Sequence, residues 1–479
     1  MFIVDKGGRL GNFGSRRTHM RGRASLATSI ALLAIATAPA FGANPEGAEV
    51  RASLRAEIEA LKSRLAALEA RLEASESVTT AAPVTAATPI EPAQPSTTAL
   101  APVAPNARPD TEIEIYGYAQ IDAIQDFGRM HPGWEDSLRP TRIPTVDGRY
   151  GGDGKYIASV RQSRLGIQAT RPIGNRDLHV KLEADLYGVG ADEGKTTLHL
   201  RHAYGQYGQW LAGQTNSLFM DGDVFPNTID YWGPNGMAYL RTAQIRWTPL
   251  SGPNSFSVAI EDTGDDIDTG RFGREFPAFG AAAEGHDDWP DLTAQFRMDR
   301  DWGHFQAAGI LRKVGFDTAG TVDNAPKGDD IGWGLNLSTN LRFGGKDRLI
   351  LSVLGGKGIA SYMNDGGNDL IPDDSAPGRI PDAVAMPLWA AVLYYDHWWN
   401  NRWSSSAGYS FTQVDNSNNQ NADAFKKGEY ASVNLLHYPT DSLLVGAEFL
   451  WGRRTDNGGA SGTDSRLQVS VKYDFSSKD

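Results

Sequence analysis

The chain is 479 residues long, contains no cysteine and has a formal net charge of −12. The missing cysteines exclude a disulfide framework, a thiolate metal site and a cysteine nucleophile. The acidic balance, without any coherent basic face, argues against a nucleic-acid partner, because phosphate neutralisation needs clustered Lys and Arg.

Such a length exceeds one ordinary domain and leaves room for a leader, a linker and a large barrel. The first stretch, "MRGRASLATSIALLAIATAPAFGAN", has two arginines, an apolar run from Leu26 to Ala36 and small residues around Ala40, Gly42 and Ala43. That run is well short of the roughly 20 residues that span a bilayer. Residues 1–43 therefore read as a secretory signal peptide, with Met20 available as a second start.

Leu54, Ile58, Leu61, Leu65, Leu68 and Leu72 alternate in spacings of four and three, the seam of a coiled coil. With Ile58, Leu65 and Leu72 at the a position, Glu57 and Arg64 face Lys62 and Glu69 of a parallel neighbour in opposite-sign pairs. Residues 44–73 are thus expected to be a periplasmic coiled coil that associates with copies of itself. Residues 74–110 are Ala, Thr, Ser and Pro, an extended spacer.

From Glu112 the periodicity changes to two. Sixteen segments follow, near 112–127, 157–171, 177–188, 197–207, 210–219, 238–248, 254–262, 291–300, 303–316, 329–343, 347–359, 385–399, 402–414, 429–439, 442–454 and 465–475. Short turns such as "GNR", "GGK" and "PTD" alternate with long loops. That asymmetry belongs to a membrane barrel and has no reason to exist in a soluble sandwich. In the last segment Leu467, Val469, Val471, Tyr473 and Phe475 share one face, and Arg466, Gln468, Ser470, Lys472 and Asp474 the other. The 177–188 segment repeats this with His179, Lys181, Glu183 and Asp185. Burying so many charges in a sandwich core is prohibitive, whereas a wet lumen accepts them. The predicted fold class is all-β: a sixteen-stranded antiparallel transmembrane β-barrel over 111–479, preceded by the α-helical coiled coil. The cluster "YYDHWWNNRW" fits an interfacial aromatic belt.

Charges at the narrowest point set selectivity in such a pore. Alternation with Leu165 and Ile167 puts Arg164 inside; alternation with Leu198, Leu200 and Tyr204 puts His199 and Arg201 inside; the same logic puts Gln244 and Arg246 inside. The connection after the fifth strand, "MDGDVFPNTIDYWGPNGM", is rich in Asp and aromatic residues and resembles the inward-folding constriction loop of general porins, which implies that it supplies Asp221, Asp223 and Asp230. The expected eyelet has Arg164, Arg201 and Arg246 on the wall and these three aspartates opposite.

The stretches "EIYGYAQIDAI", "SVRQSRLGI", "LRHAYGQYG" and "GQTNSLFMDGDVFPNTIDYWGPNGM" resemble the DcaP family of trimeric outer-membrane porins, over nearly the whole mature chain. The resemblance implies a homotrimer in the outer membrane of a Gram-negative bacterium, in contact with lipid and lipopolysaccharide, passing small anionic solutes of dicarboxylate type. External loops such as "DTGDDIDTGRFGREF" are acidic, but charges beyond about 8 Å are largely screened at physiological salt. Lumen arginines are nearer to the permeating ion, and anion preference is the expectation.

Two other functions compete. A hydrolase acting on lipid would use a histidine on the outer wall, for which His202 is the nearest residue. A structural tether would reach the peptidoglycan through the coiled coil and spacer. No cofactor or metal is expected: "GADEGKT" has Val189 where a phosphate loop needs glycine, and no zinc or calcium spacing occurs.

Overall fold

The computed structural model describes residues 111–286, 288–373 and 382–478. The leader, the coiled coil and the whole spacer lie outside the described residues. Sixteen barrel strands are present: β1 (Glu112–Asp126), β2 in two pieces (Lys155–Ser159 and Arg164–Ile173), β3 (Arg176–Tyr187), β4 (Thr196–Tyr207), β5 (Trp210–Asn216), β6 (Arg241–Leu250), β7 (Asn254–Asp262) and β8 (Asp291–Arg300). The second half comprises β9 (Gly303–Thr318), β10 (Gly328–Phe343), β11 (Asp347–Lys357), β12 (Pro387–Asn400), β13 (Trp403–Val414), β14 (Phe425–Thr440), β15 (Leu443–Asp456) and β16 (Ser461–Ser476). Every predicted segment falls on one strand.

Each strand pairs antiparallel with its chain neighbours, and β1 closes on β16 from Tyr116↔Ser476 to Asp126↔Arg466. Closure leaves no free sheet edge, the condition for a sheet surrounded by hydrocarbon. The closing strand shows the inversion directly. Leu467, Val469 and Val471 are 40–41% exposed, whereas Arg466, Gln468 and Ser470 are 0% exposed. Apolar side chains point outward and polar ones fill the lumen. β16 also runs past Phe475: Ser477 N donates to Ile115 O, and Lys478 pairs with Glu112 and Glu114.

The tight turns follow glycine chemistry. Gly174 (φ 64°) and Gly208 (φ 60°) open the β2–β3 and β4–β5 connections in the left-handed region, where a hairpin turn of this kind asks for glycine. The opposite ends carry the long connections. One of these, residues 217–240, folds into the barrel and is pinned by its own backbone amides. Leu218 N donates to Glu261, Asn227 N to Asp396 and Ile229 N to Glu448. Carboxylates of β7, β12 and β15 thus satisfy loop donors that would otherwise be buried without partners.

Candidate functional site

The inward loop divides the lumen. Above it is a cavity of about 780 Å³ bordered by Arg139, Arg142, His199, Trp232 and the residues of the long connections. Below it is a smaller one of about 290 Å³ bordered by Tyr118, Gln162, Arg164, Arg201, Phe225 and Lys472. Tyr231 and Tyr239 line both and mark the junction between the two cavities.

One wall of this junction is cationic. Arg201 donates through Nε to Glu183 and through Nη1 to Asp185, at 2.9 Å each. Arg164 Nη1 lies 3.5 Å and Lys181 Nζ 3.3 Å from the same Glu183, and His199 Nδ1 is 3.0 Å from Asp185 Oδ1. Arg241, from the start of β6, donates only to the Tyr239 hydroxyl (2.8 Å) and has no carboxylate partner among the described residues. Arg164, Lys181, Arg201 and Arg241 therefore stand against two carboxylates, and the wall carries surplus positive charge.

Aromatic rings flank it. Tyr231 stacks on Tyr187 with centroids 3.7 Å apart and donates its hydroxyl to Asp185 (2.9 Å). Higher up, the Arg139 guanidinium lies between Trp134 and Trp232, 4.1 and 3.9 Å from their ring centroids, and pairs with Asp365. The guanidinium is thereby held by two ring faces as well as by a carboxylate.

The sequence-derived residues divide into two groups. Arg164, His199 and Arg201 come together on the cationic wall. Gln244 and Arg246 do not join them: Gln244 donates to Thr215 O and Asn216 O, Arg246 donates to Gln244 and Asn216 O, and neither borders the two cavities. They brace the point where the chain leaves β5.

The three aspartates are differently employed from the expected acidic rim. Asp221 accepts from His304 (2.7 Å), Ser338 (2.6 Å) and Arg297 (3.4 Å), and Asp223 from Arg297 (2.6 Å). Both tie the loop's beginning to the β8–β10 wall. Asp230 accepts from the amides of Leu138 and Gly233 and from the Tyr430 hydroxyl. It borders the lower cavity, but its carboxylate oxygens are taken up by these donors. Burial pushes its carboxyl up to about 6 despite them.

Two facing assignments on β4 are corrected. The register shifts between Glu183 and Ala184, so Glu183 pairs with His202 while Ala184 pairs with Leu200. Arg201 and His202 form a bulge, after which the parity of β4 is reversed. Tyr204, opposite Lys181, faces inward rather than outward. His202 also lies on the lumen side, bonded to Thr215 Oγ1 (3.0 Å), and not on the outer wall that a lipid substrate would approach.

Sequence reasoning missed Tyr231, Tyr239 and Arg241. The aromatic content of the loop was a signal for the tyrosines. Arg241 shares the parity of outward Ala243 and Ile245; it reaches Tyr239 where the β4–β5 ladder has already stopped at Ala203↔Gln214.

In comparison with known proteins, the chain matches the DcaP outer membrane protein family over residues 90–475. No curated relative matches it. Among solved structures it is similar to the outer membrane channel DcaP of Acinetobacter baumannii, with 21% identity, a TM-score of 0.65 and coverage of 76% of this chain and 97% of that one. An anion-selective porin from Comamonas acidovorans is similar at 11% identity and a TM-score of 0.49, covering 76% of this chain and 100% of that one. At 21% identity the likeness to the Acinetobacter channel is one of fold.

Proposed function

The chain belongs to the DcaP outer membrane protein family, and from that premise we propose that it is a passive channel for small hydrophilic anions, of dicarboxylate type, working as a homotrimer. The observation that carries anion preference is the surplus of cationic groups over carboxylates at the junction of the two cavities. Two charges 4 Å apart interact by about 4 kcal/mol at an effective dielectric near 20. A carboxylate passing Arg201 and Arg241 meets that attraction, while a cation meets the corresponding barrier.

The acidic mouth does not reverse this. Four carboxylates border the upper cavity, Asp266, Asp268, Asp365 and Asp423; Asp365 is held by Arg139 and Asp423 by Arg274, and Arg142, Arg241 and Arg454 line the same cavity against the other two. A dicarboxylate suits a passage with cationic groups in both cavities, since one carboxylate can remain at Arg139 or Arg142 while the other reaches the wall below. The test is the reversal potential of the purified protein in planar bilayers under a salt gradient. Anion preference, with conductance steps in groups of three, is the expected result; a silent bilayer defeats the channel reading and a cation-selective one the anion reading.

The trimer has its own support. Outward positions of β1–β4 include small residues, Gly117, Ala119, Ala169, Ala184, Ala203 and Gly205, set among aliphatic ones such as Ile115, Leu165, Ile167 and Leu182, whereas β10–β15 present Trp333, Trp389, Tyr409 and Phe449. Small side chains suit close approach of another protein wall, and aromatic ones suit lipid interfaces. The coiled coil and spacer would extend from the periplasmic side and give a second role, contact with peptidoglycan. Co-sedimentation with peptidoglycan should fall when residues 44–110 are deleted; equal sedimentation would remove the tether.

A further inference from the structure

Tyr239 stands at the end of the inward loop, between the upper and lower cavities, and it is one of the two residues that border both together with Tyr231. Its amide donates to Tyr362 O, which fixes the backbone, and its ring lies 5.8 Å from that of Phe225. The hydroxyl oxygen accepts from Arg241 Nη1 at 2.8 Å and from Arg201 Nη2 at 3.5 Å. Among the described residues no acceptor takes the phenolic proton. A phenol surrounded by donors alone is held in the geometry that suits its anion.

We propose that the Tyr239 hydroxyl is a built-in counter-ligand of the passage. It occupies guanidinium donors of Arg201 and Arg241 that a permeating carboxylate would otherwise engage. When it loses its proton, it cancels one positive charge of the wall, so that anion preference falls as pH rises. The inference rests on the anion-channel reading.

The neighbouring tyrosine shows why Tyr239 is distinctive. Tyr231 donates to Asp185, and burial followed by the Asp185 charge holds its phenol well above the ordinary range. For Tyr239 burial also opposes ionisation, but Arg241, Arg201 and Arg164 together outweigh it and bring the phenol down to about 7. Other titratable groups face the same space. From β4, His199 pairs with Asp185 and His202 lies 3.9 Å from Glu183. From β3 come Lys181, Glu183 and Asp185, from β1 Tyr118 beneath Arg164, and from the upper side Asp365, held by Arg139. Because these groups share the wall, a pH trend in the native channel does not by itself identify Tyr239.

The variant Tyr239→Phe makes the separation. Full-length protein is reconstituted in planar bilayers and its reversal potential in a potassium chloride gradient is read at about pH 6 and about pH 9, a range that brackets neutrality. The same protein in detergent is titrated by tyrosinate ultraviolet absorbance. The expected result is a several-fold fall in the native anion-to-cation permeability ratio across that range, a level ratio in Tyr239→Phe, and one tyrosine titrating near neutrality in the native protein alone. Arg241→Gln, which removes one donor, should move that titration upward. An equal fall in native and Tyr239→Phe channels, or no tyrosine titrating near neutrality, would overturn the proposal. A channel already cation-selective at about pH 6 would refute the anion-channel reading. If its cation preference still rose with pH in the native protein and not in Tyr239→Phe, the role of Tyr239 would stand.

Discussion

Arginines line the lumen on both sides, yet the two sides use them in opposite ways. On the β8–β10 side Arg312, 1% exposed, meets Asp265 (2.9 Å), Asp291 (3.0 Å) and Asp369 (3.1 Å), and Arg297 meets Asp221, Asp223 and Asp299. On the β2–β6 side Arg164, Lys181 and Arg201 share two carboxylates and Arg241 has none among the described residues. An arginine matched by carboxylates is a fastener; one left with spare donors at a cavity is available to a solute. The local ratio of charges separates the two, and residue type does not.

The largest test of that contrast is Arg312→Ala. It removes a shared cationic partner from three carboxylates, two of them on the long connections that fold over the upper cavity, and removing one partner of a buried ionic group costs about 3–5 kcal/mol. Thermal unfolding of the detergent-solubilised barrel should move to markedly lower temperature, and if the variant matches native protein the fastener reading of that side fails. The cationic side should respond in selectivity. Arg201→Ala leaves Glu183 and Asp185 with less compensation, and the anion-to-cation permeability ratio should drop by about tenfold, equivalent to about 1.4 kcal/mol. Glu183→Gln removes negative charge from the same wall and should raise the ratio several-fold; a shift of both variants in one direction would show that wall geometry, not charge balance, governs the passage. The smallest effect belongs to a third class of cation. Lys478 pairs with Glu112 and Glu114 at the exposed end of the closing strand, where solvent screens the interaction. Lys478→Ala should leave the unfolding midpoint where it is, and a clear fall would mean that the tail beyond Phe475 is a closure element.

Alternation made Arg164, His199 and Arg201 legible as lumen residues, because a strand's side chains leave on alternate sides whatever the rest of the chain does. The same rule failed at His202 and Tyr204 on the same strand. The bulge at Arg201 and His202 adds a residue against β3, and no residue in "LRHAYGQ" announces it. The aspartates were misplaced for another reason. Their chemistry was visible, but their partners His304, Ser338, Arg297 and Tyr430 lie 74 to 200 residues away in sequence, and only the path of the inward loop brings them together.

The sequence by itself determined the number of strands, the outward apolar face and the closure of the barrel. Those features follow from the two-residue period, from the cost of burying ions in an apolar core and from the contrast of tight turns with long connections. The tertiary structure alone decided which cations are neutralised and which are spare. That outcome depends on a few ångströms between groups carried by different strands, and charge interactions at such range are set by position and burial, which local sequence does not encode.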